Sequence, residues 1–288
     1  MDKKNVSMND VAVAAGVSLK TVSRVINEPD SVRESTRDKV HSAMEALGFR
    51  TNFAARSLKL GRYGCIGVVL FHLSGGAVDM IDGIADAAEE RGFALTMIKK
   101  RAGEKMTLAE AARRMSQLPV DGMIFNLRQM VDDFDTFEAP KDLKTVIITP
   151  MEHPTCSTVS DDQEGGARMA CEYFLDHGHK NVYFVSGKKE SLSSQCRMKG
   201  WRAALETRGI EPEPLQGDWN ADSGYAAGLV LADKPDCTAV LAANDCMANG
   251  VMMALRDRGL RVPDDVSVIG FDDELYKTIP NSILTSVK

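Results

Sequence analysis

Lys20, Thr21, Ser23, Arg24 and Asn27 recur at a spacing that places them on one side of a short helix, opposite Val22, Val25 and Ile26. Hydrogen-bonding side chains with two cations among them suit a polyanionic partner, and the flanking residues say how they are presented. Ser7 with Asp10 three residues on is a helix start signal, Val11, Ala14 and Ala15 make an apolar stripe, and Gly16 permits a turn at positive φ. Val17 packs inward and Ser18 caps a second helix from Leu19 to Asn27. A third amphipathic helix, about Glu34 to Leu47, closes a three-helix module. This is the pattern of a helix-turn-helix whose second helix fits the major groove of DNA.

Other reactive residues point away from catalysis. The six cysteines, Cys65, Cys156, Cys171, Cys196, Cys237 and Cys246, form no C-x-x-C pair and read as reduced, mostly buried thiols. His177 and His179 flank Gly178, where a polar side chain suits a helix C-terminus better than a metal site. The doublets Asp161-Asp162, Asp264-Asp265 and Asp272-Asp273 are poor acid/base pairs, since neighbours on an extended chain point to opposite faces. Phosphate loops, dinucleotide fingerprints, nucleophile elbows and H-E-x-x-H are all missing. The expectation is a protein that is not an enzyme, with no cofactor and no metal.

The charge is divided unevenly. Residues 1–64 carry 11 basic and 7 acidic side chains, a net +4, whereas the remainder carries −10 of the overall −6. A basic head of this kind suits a polyanion and the acidic body repels one. The length of 288 residues allows two or three domains at about 100–200 residues each. No apolar run reaches the roughly 18 residues of a membrane span, and the start, MDKKNVSMNDVAV, lacks an apolar export region. A cytoplasmic protein with no membrane partner is expected.

From Cys65 onward, short apolar runs alternate with helical patterns, as in parallel α/β layering. The runs CIGVVLF, FALTMI, GMIFNL, TVIIT, NVYFVSG, TAVLAAN and VSVIGF read as strands. Helices are expected over 79–91, 108–118, 165–177, 197–208 and 245–258, and four of them end at Gly92, Gly178, Gly209 and Gly259, where left-handed caps belong.

The run NDVAVAAGVSLKTVSRVIN, then STRDKV, then EALGFRTNFAARSLKLGR, resembles the lac repressor and galactose repressor family of bacterial transcription regulators, and the resemblance extends to the last residue. It implies that Leu19, Lys20 and Arg24 reach base edges, where Lys or Arg pairs with guanine and Leu meets a thymine methyl. Ser7, Ser18, Thr21, Ser23, Asn27 and Thr36 match positions that grip phosphates, while Arg33 departs from the hydroxyl residue common before the third helix. The nine residues NFAARSLKL are fewer than the about 12 to 15 a lone helix needs. In the family this segment is a hinge helix formed on DNA; Leu58 matches the residue that wedges into the minor groove, with Asn52, Ala55 and Arg56 lining the same contact.

The same resemblance implies a periplasmic-binding-protein-like body of two doubly wound parallel α/β subdomains around an effector cleft, closest to the lac repressor type. The expected division is 1–48 for the helix-turn-helix, 49–62 for the hinge, 63–156 and 157–288 for the two subdomains. Arg197, Trp219, Asn244 and Asp272 match effector-contact positions, and Arg101, Asn126 and Ser193 match a polar network at the cleft. Planar hydrogen-bonding groups beside an aromatic face suit a sugar ring, whereas Trp201 reads as core. Phe71, His72, Gly75 and Gly76 depart from the wall found in the lac repressor branch, so a galactoside is not implied. The expected partners are a pseudo-palindromic operator, a sugar effector and a second copy of the chain, as a dimer or a higher oligomer, in a repressor. A nucleobase effector is the alternative within the family. A transport receptor would share the body but need an export signal and no basic head. The ending at NSILTSVK reads as a family member cut short by about one strand-helix excursion of 30 or more residues.

Overall fold

Two serines set the geometry of the N-terminal unit. The structure, a computed structural model, describes residues 6–49, 61–72, 76–101, 103–206, 208–211, 213–273 and 284–288, in two units that divide between Tyr63 and Gly64. Ser7 Oγ accepts the Asp10 amide at 3.3 Å while Asp10 Oδ2 accepts the Ser7 amide at 2.8 Å, a reciprocal box that starts α1 (Met8–Ala15). Gly16 at φ 66° ends that helix, and Ser18 Oγ accepts the Thr21 amide at 3.1 Å to start α2 (Leu19–Asn27). The third helix, α3 (Glu34–Leu47), begins at Arg33 with no side-chain cap.

The core of this unit is Val11, Ala12, Val22, Val25, Val40 and Ala43. It corrects the expected stripe of α1, because Ala14 is exposed and Ala12 is buried in its place. The cause is that α1 packs on both α2 and α3, so its buried arc widens towards Ala12.

The second unit holds two parallel sheets. The first contains β1 (Cys65–Leu70), β2 (Ala94–Lys99), β3 (Gly122–Asn126), β4 (Lys144–Ile148) and β5 (Ser157–Val159), in the order β2-β1-β3-β4-β5. Helices α4 (Gly76–Glu90) and α5 (Leu108–Met115) connect its early strands. The second contains β6 (Tyr183–Ser186), β7 (Leu215–Gln216), β8 (Ala239–Ala242), β9 (Ser267–Phe271) and β10 (Thr285–Val287). Read from its β7 edge, the order is β7-β6-β8-β9-β10, the same pattern as the first sheet. Its helices are α6 (Gln163–Asp176), α7 (Leu192–Glu206), α8 (Ala221–Ala232) and α9 (Asp245–Asp257).

Three strands were not expected from the sequence. β5, β7 and β10 are two or three residues long with half-exposed, polar-containing patterns, so hydrophobic periodicity does not mark them. Because β5 pairs with β4, the first sheet continues past the expected boundary at Cys156 and Ser157, and the chain passes to α6 after Val159. The expected caps Gly92, Gly178, Gly209 and Gly259 all take positive φ, from 70° to 90°. All six cysteines are free, three of them buried, and burial pushes the thiols of Cys171 and Cys237 up to about 12. Trp201 lies wholly in the core, stacked on Phe184, with its indole N–H donating to the Val182 carbonyl at 2.8 Å. No helix among the described residues is long and apolar enough to cross a membrane.

Helices α8 and α9 meet backbone to backbone. A Cβ on Gly224 would lie 2.1 Å from the Met247 carbonyl, and one on Gly250 would lie 2.0 Å from that of Ala221. Gly250→Ala therefore forces the helices apart, at about 1–3 kcal/mol of overpacking cost. Thermal unfolding should show a Tm lowered by several degrees, about 2–4 °C per kcal/mol for a unit of this size; an unchanged Tm removes the close approach.

Candidate functional site

The helix-turn-helix exposes most of what the sequence nominated. Leu19, Lys20 and Arg24 are exposed along α2, Thr21, Ser23 and Asn27 are half-buried beside them, and Ser7 and Ser18 are exposed at helix starts. Thr36 is half-buried in the first turn of α3. Arg24 spends one N–H on the Ser31 carbonyl at 2.9 Å, and Asn27 Nδ2 donates to the Ser23 carbonyl at 2.8 Å, leaving its oxygen to accept. Helix starts with unpaired amides and hydroxyl caps are natural seats for phosphate. Asn52, Ala55, Arg56 and Leu58 lie outside the described residues, as does Gly75.

In the body, the convergent polar group is Arg197, 2% exposed on α7. Its Nε donates to Gln163 Oε1 at 2.5 Å, Nη1 to the Ala243 carbonyl, and Nη2 to Asp272 Oδ1 at 2.6 Å, with Nη1 also 3.3 Å from Oδ2. The guanidinium lies 3.7 Å from the Phe271 ring centroid and 5.7 Å from that of Trp219. Of the five donors on a guanidinium, one on Nη2 has no assigned acceptor among the described residues. Gln163, Phe271 and the Ala243 carbonyl were not nominated from sequence, although Phe271 directly precedes Asp272 at a strand end.

Trp219 and Asn244 complete the group. Asn244 Oδ1 accepts the Met247 amide at 2.9 Å to cap α9, while its Nδ2 donates to the Trp219 carbonyl at 3.0 Å. The indole covers the backbone at the end of β6 so closely that a Cβ on Gly187 would lie 2.2 Å from it. Among the described residues, Trp219, Asp272 and Asp273 are the non-glycine residues at positive φ, at 82°, 90° and 51°. Strain of this kind persists where surrounding structure holds it, commonly at ligand sites. A cleft of about 560 Å3 is lined by Gln163, Phe271 and Asp272 with Asp79, Asp161 and Asp162; of the four nominated effector contacts only Asp272 is on its wall.

The structure does not draw every nominated residue into this group. Ser193 is buried one turn before Arg197 on the same face of α7. Asn126 is buried at the end of β3, in the other sheet, and Arg101 is exposed after β2 with its amide donating to Glu104. The acidic doublets serve structure: Asp264 and Asp265 both pair with Arg261, because a turn rather than an extended strand brings them to the same side. His177 Nδ1 donates to the Tyr173 carbonyl at 2.8 Å and His179 meets Thr238, and no metal-holding cluster occurs among the described residues.

Comparison with known proteins decides the family. Residues 7–52 match the model for bacterial regulatory proteins of the lacI family, and residues 171–288 match that of a periplasmic binding protein-like domain. The chain is 33% identical over 293 residues to catabolite control protein A of Priestia megaterium, covering 98% of this chain and 87% of that protein. It is 32% identical to the lactose operon repressor of Escherichia coli (strain K12), over 99% and 80% of the two chains. The chain belongs to the lacI family of bacterial regulatory proteins. It is 31% identical to the HTH-type transcriptional repressor PurR of Photobacterium profundum, over 93% and 82%. Its fold matches the lac repressor dimer bound to operator and the anti-inducer ONPF with a TM-score of 0.79, at 28% identity over 98% and 87% of the chains. A transcriptional regulator CelR–cellobiose complex matches at 0.64 and 28% identity, over 98% and 87%. As a lacI-family member, the chain is a DNA-binding transcriptional repressor and not an enzyme.

The geometry around Arg197 generates a stability test. Removing one partner of a buried ion pair leaves an uncompensated charge at a cost of about 3–5 kcal/mol; the Asp272 side chain is 26% exposed, which places this pair at the lower end. Arg197→Ala should lower the denaturant midpoint strongly, and Arg197→Ala with Asp272→Ala should lose less than the sum of the single changes. Additive losses in urea unfolding remove the coupling.

Proposed function

We propose that this repressor binds a pseudo-palindromic operator as a homodimer and is controlled by a small sugar in the cleft between its two sheets. In this reading Leu19, Lys20 and Arg24 read bases, and Ser7, Ser18, Thr21, Ser23, Asn27 and Thr36 position the module on phosphates. Residues 49–62 act as the hinge, with Leu58 as a minor-groove wedge beside Asn52, Ala55 and Arg56. Arg197, Trp219, Asn244 and Asp272 contact the effector, and Arg101, Asn126 and Ser193 belong to the polar network around it.

The observation that carries the effector reading is the strained pair Trp219 and Asp272 beside a buried guanidinium, one Nη2 donor of which has no acceptor among the described residues. An indole face, a carboxylate and a planar donor are what vicinal hydroxyls and the apolar side of a sugar ring require. The likeness to a solved cellobiose complex supports the same class. A nucleobase effector is the second reading, favoured by the likeness to PurR repressors.

Trp219 supplies the readout, since Trp201 is wholly buried. Sugars and nucleobases are titrated against intrinsic fluorescence with an operator competition assay in parallel. A sugar should change the emission of the native chain and operator affinity together, and Trp219→Leu should abolish the optical change. A response to nucleobases alone transfers the site to the second reading. Leu58→Ala should weaken operator binding while sparing nonspecific DNA; equal loss on both overturns the wedge.

A further inference from the structure

The two sheets share one strand order, and each has a point where its connections leave in opposite directions: between β1 and β3 in the first, and between β6 and β8 in the second. Open parallel sheets bind ligands beyond the carboxyl ends of strands at such points. At the second stand Lys188, after β6, and Asn244, after β8. At the first stand His72, after β1, and Asn126 and Arg128, at and after the end of β3. Lys100 joins them from the end of β2, its amide donating to the Leu70 carbonyl at 2.9 Å. The two ends are tied together: the Leu192 amide donates to the Arg128 carbonyl at 3.0 Å, Gln129 bridges to Ser191, and the Ser191 amide donates to the Lys188 carbonyl at 3.0 Å.

Asn126 and His72 each hold a buried polar atom with no partner among the described residues. Asn126 is 1% exposed, and its Nδ2 has no hydrogen-bond acceptor among the described residues. His72 Nδ1 is buried without one as well. Leu70, the last residue of β1, pairs in register with Asn126, and His72 follows Leu70 by two residues. Lys100 and Lys188 make no ion pair among the described residues. Burial, then the charges of Lys100 and Lys188, hold the His72 imidazole below its ordinary pKa, with Glu190 opposing and Arg128 adding to the shift. Gly187, whose backbone the Trp219 indole covers, directly precedes Lys188, which puts Lys188 next to the indole in the chain. The carboxylates at the other end of the site are already engaged: Asp272 with Arg197, Asp161 with Gln163, and Asp162 in capping α6.

We propose that the effector carries an anionic group, phosphoryl or carboxylate, that seats between Lys100 and Lys188 against the Asn126 amide, while its hydroxyl-bearing ring lies toward Trp219 and Arg197. The inference rests on the reading of the cleft as the effector site and names the ligand class: a phosphorylated sugar or a sugar acid. Cationic donors with a buried amide N–H match anion oxygens, which accept charge-assisted bonds and donate none.

The test pairs each neutral hexose with its 6-phosphate and its uronate, glucose and galactose first, at constant ionic strength, on the full chain. Binding is read by thermal shift and Trp219 fluorescence. The native chain should bind a charged member, with its neutral parent far weaker, and the phosphate and uronate arms say which anion it is. Lys100→Gln and Lys188→Gln should each weaken that binding by roughly tenfold, with the unliganded Tm unchanged because these side chains lie at half-exposed and exposed positions. Equal binding of the neutral parent in native and both variant chains overturns the anion seat and leaves the sugar site standing. No response to any sugar, neutral or charged, overturns both.

Discussion

One buried guanidinium organises the second half of the body. Arg197 on α7 reaches Gln163 at the start of α6, the carbonyl after β8 and the carboxylate after β9, and it stacks on Phe271. A cation removed from water survives only when its donors are met and its charge is balanced, so the elements that meet it cannot drift independently. Asp272 must leave the sheet at φ 90° to arrive there, and Asn244 must cap α9 while holding the Trp219 loop. The site is thus a by-product of how four segments satisfy one charge.

The head is organised by different means. Its core is six small or medium apolar side chains, and its helices are positioned by caps at Ser7 and Ser18 and by left-handed glycines. These are local devices, which is why α2 and α3 were legible to the residue from sequence. The exception is informative: the burial of Ala12 in place of Ala14 depends on α1 touching two helices, and one helix read alone cannot show that.

The same distinction runs through the body. Central strands such as Val68 to Leu70 and Ala239 to Ala242 are buried on both faces and read as apolar runs. The edge strands β5, β7 and β10 exist because a neighbour offers hydrogen bonds, and their own residues carry no period. Arg197, Trp219, Asn244 and Asp272 were legible through resemblance and were brought together, but Gln163 was not, since its partner is 34 residues away across a helix crossing. Asn126 and Arg101 sit on the first sheet's side, where the sequence alone could not say what they face.

The repeated strand order has an energetic meaning. A ligand that touched one sheet would bind whatever the other sheet did, and would bias no equilibrium however tight it was. With a switch point on each sheet, the free energy of one small molecule that touched both would depend on how the halves are disposed. Inverting a two-state population from 1:99 to 99:1 takes about 5.5 kcal/mol of differential affinity, an amount that a few charge-assisted contacts made in only one arrangement can supply.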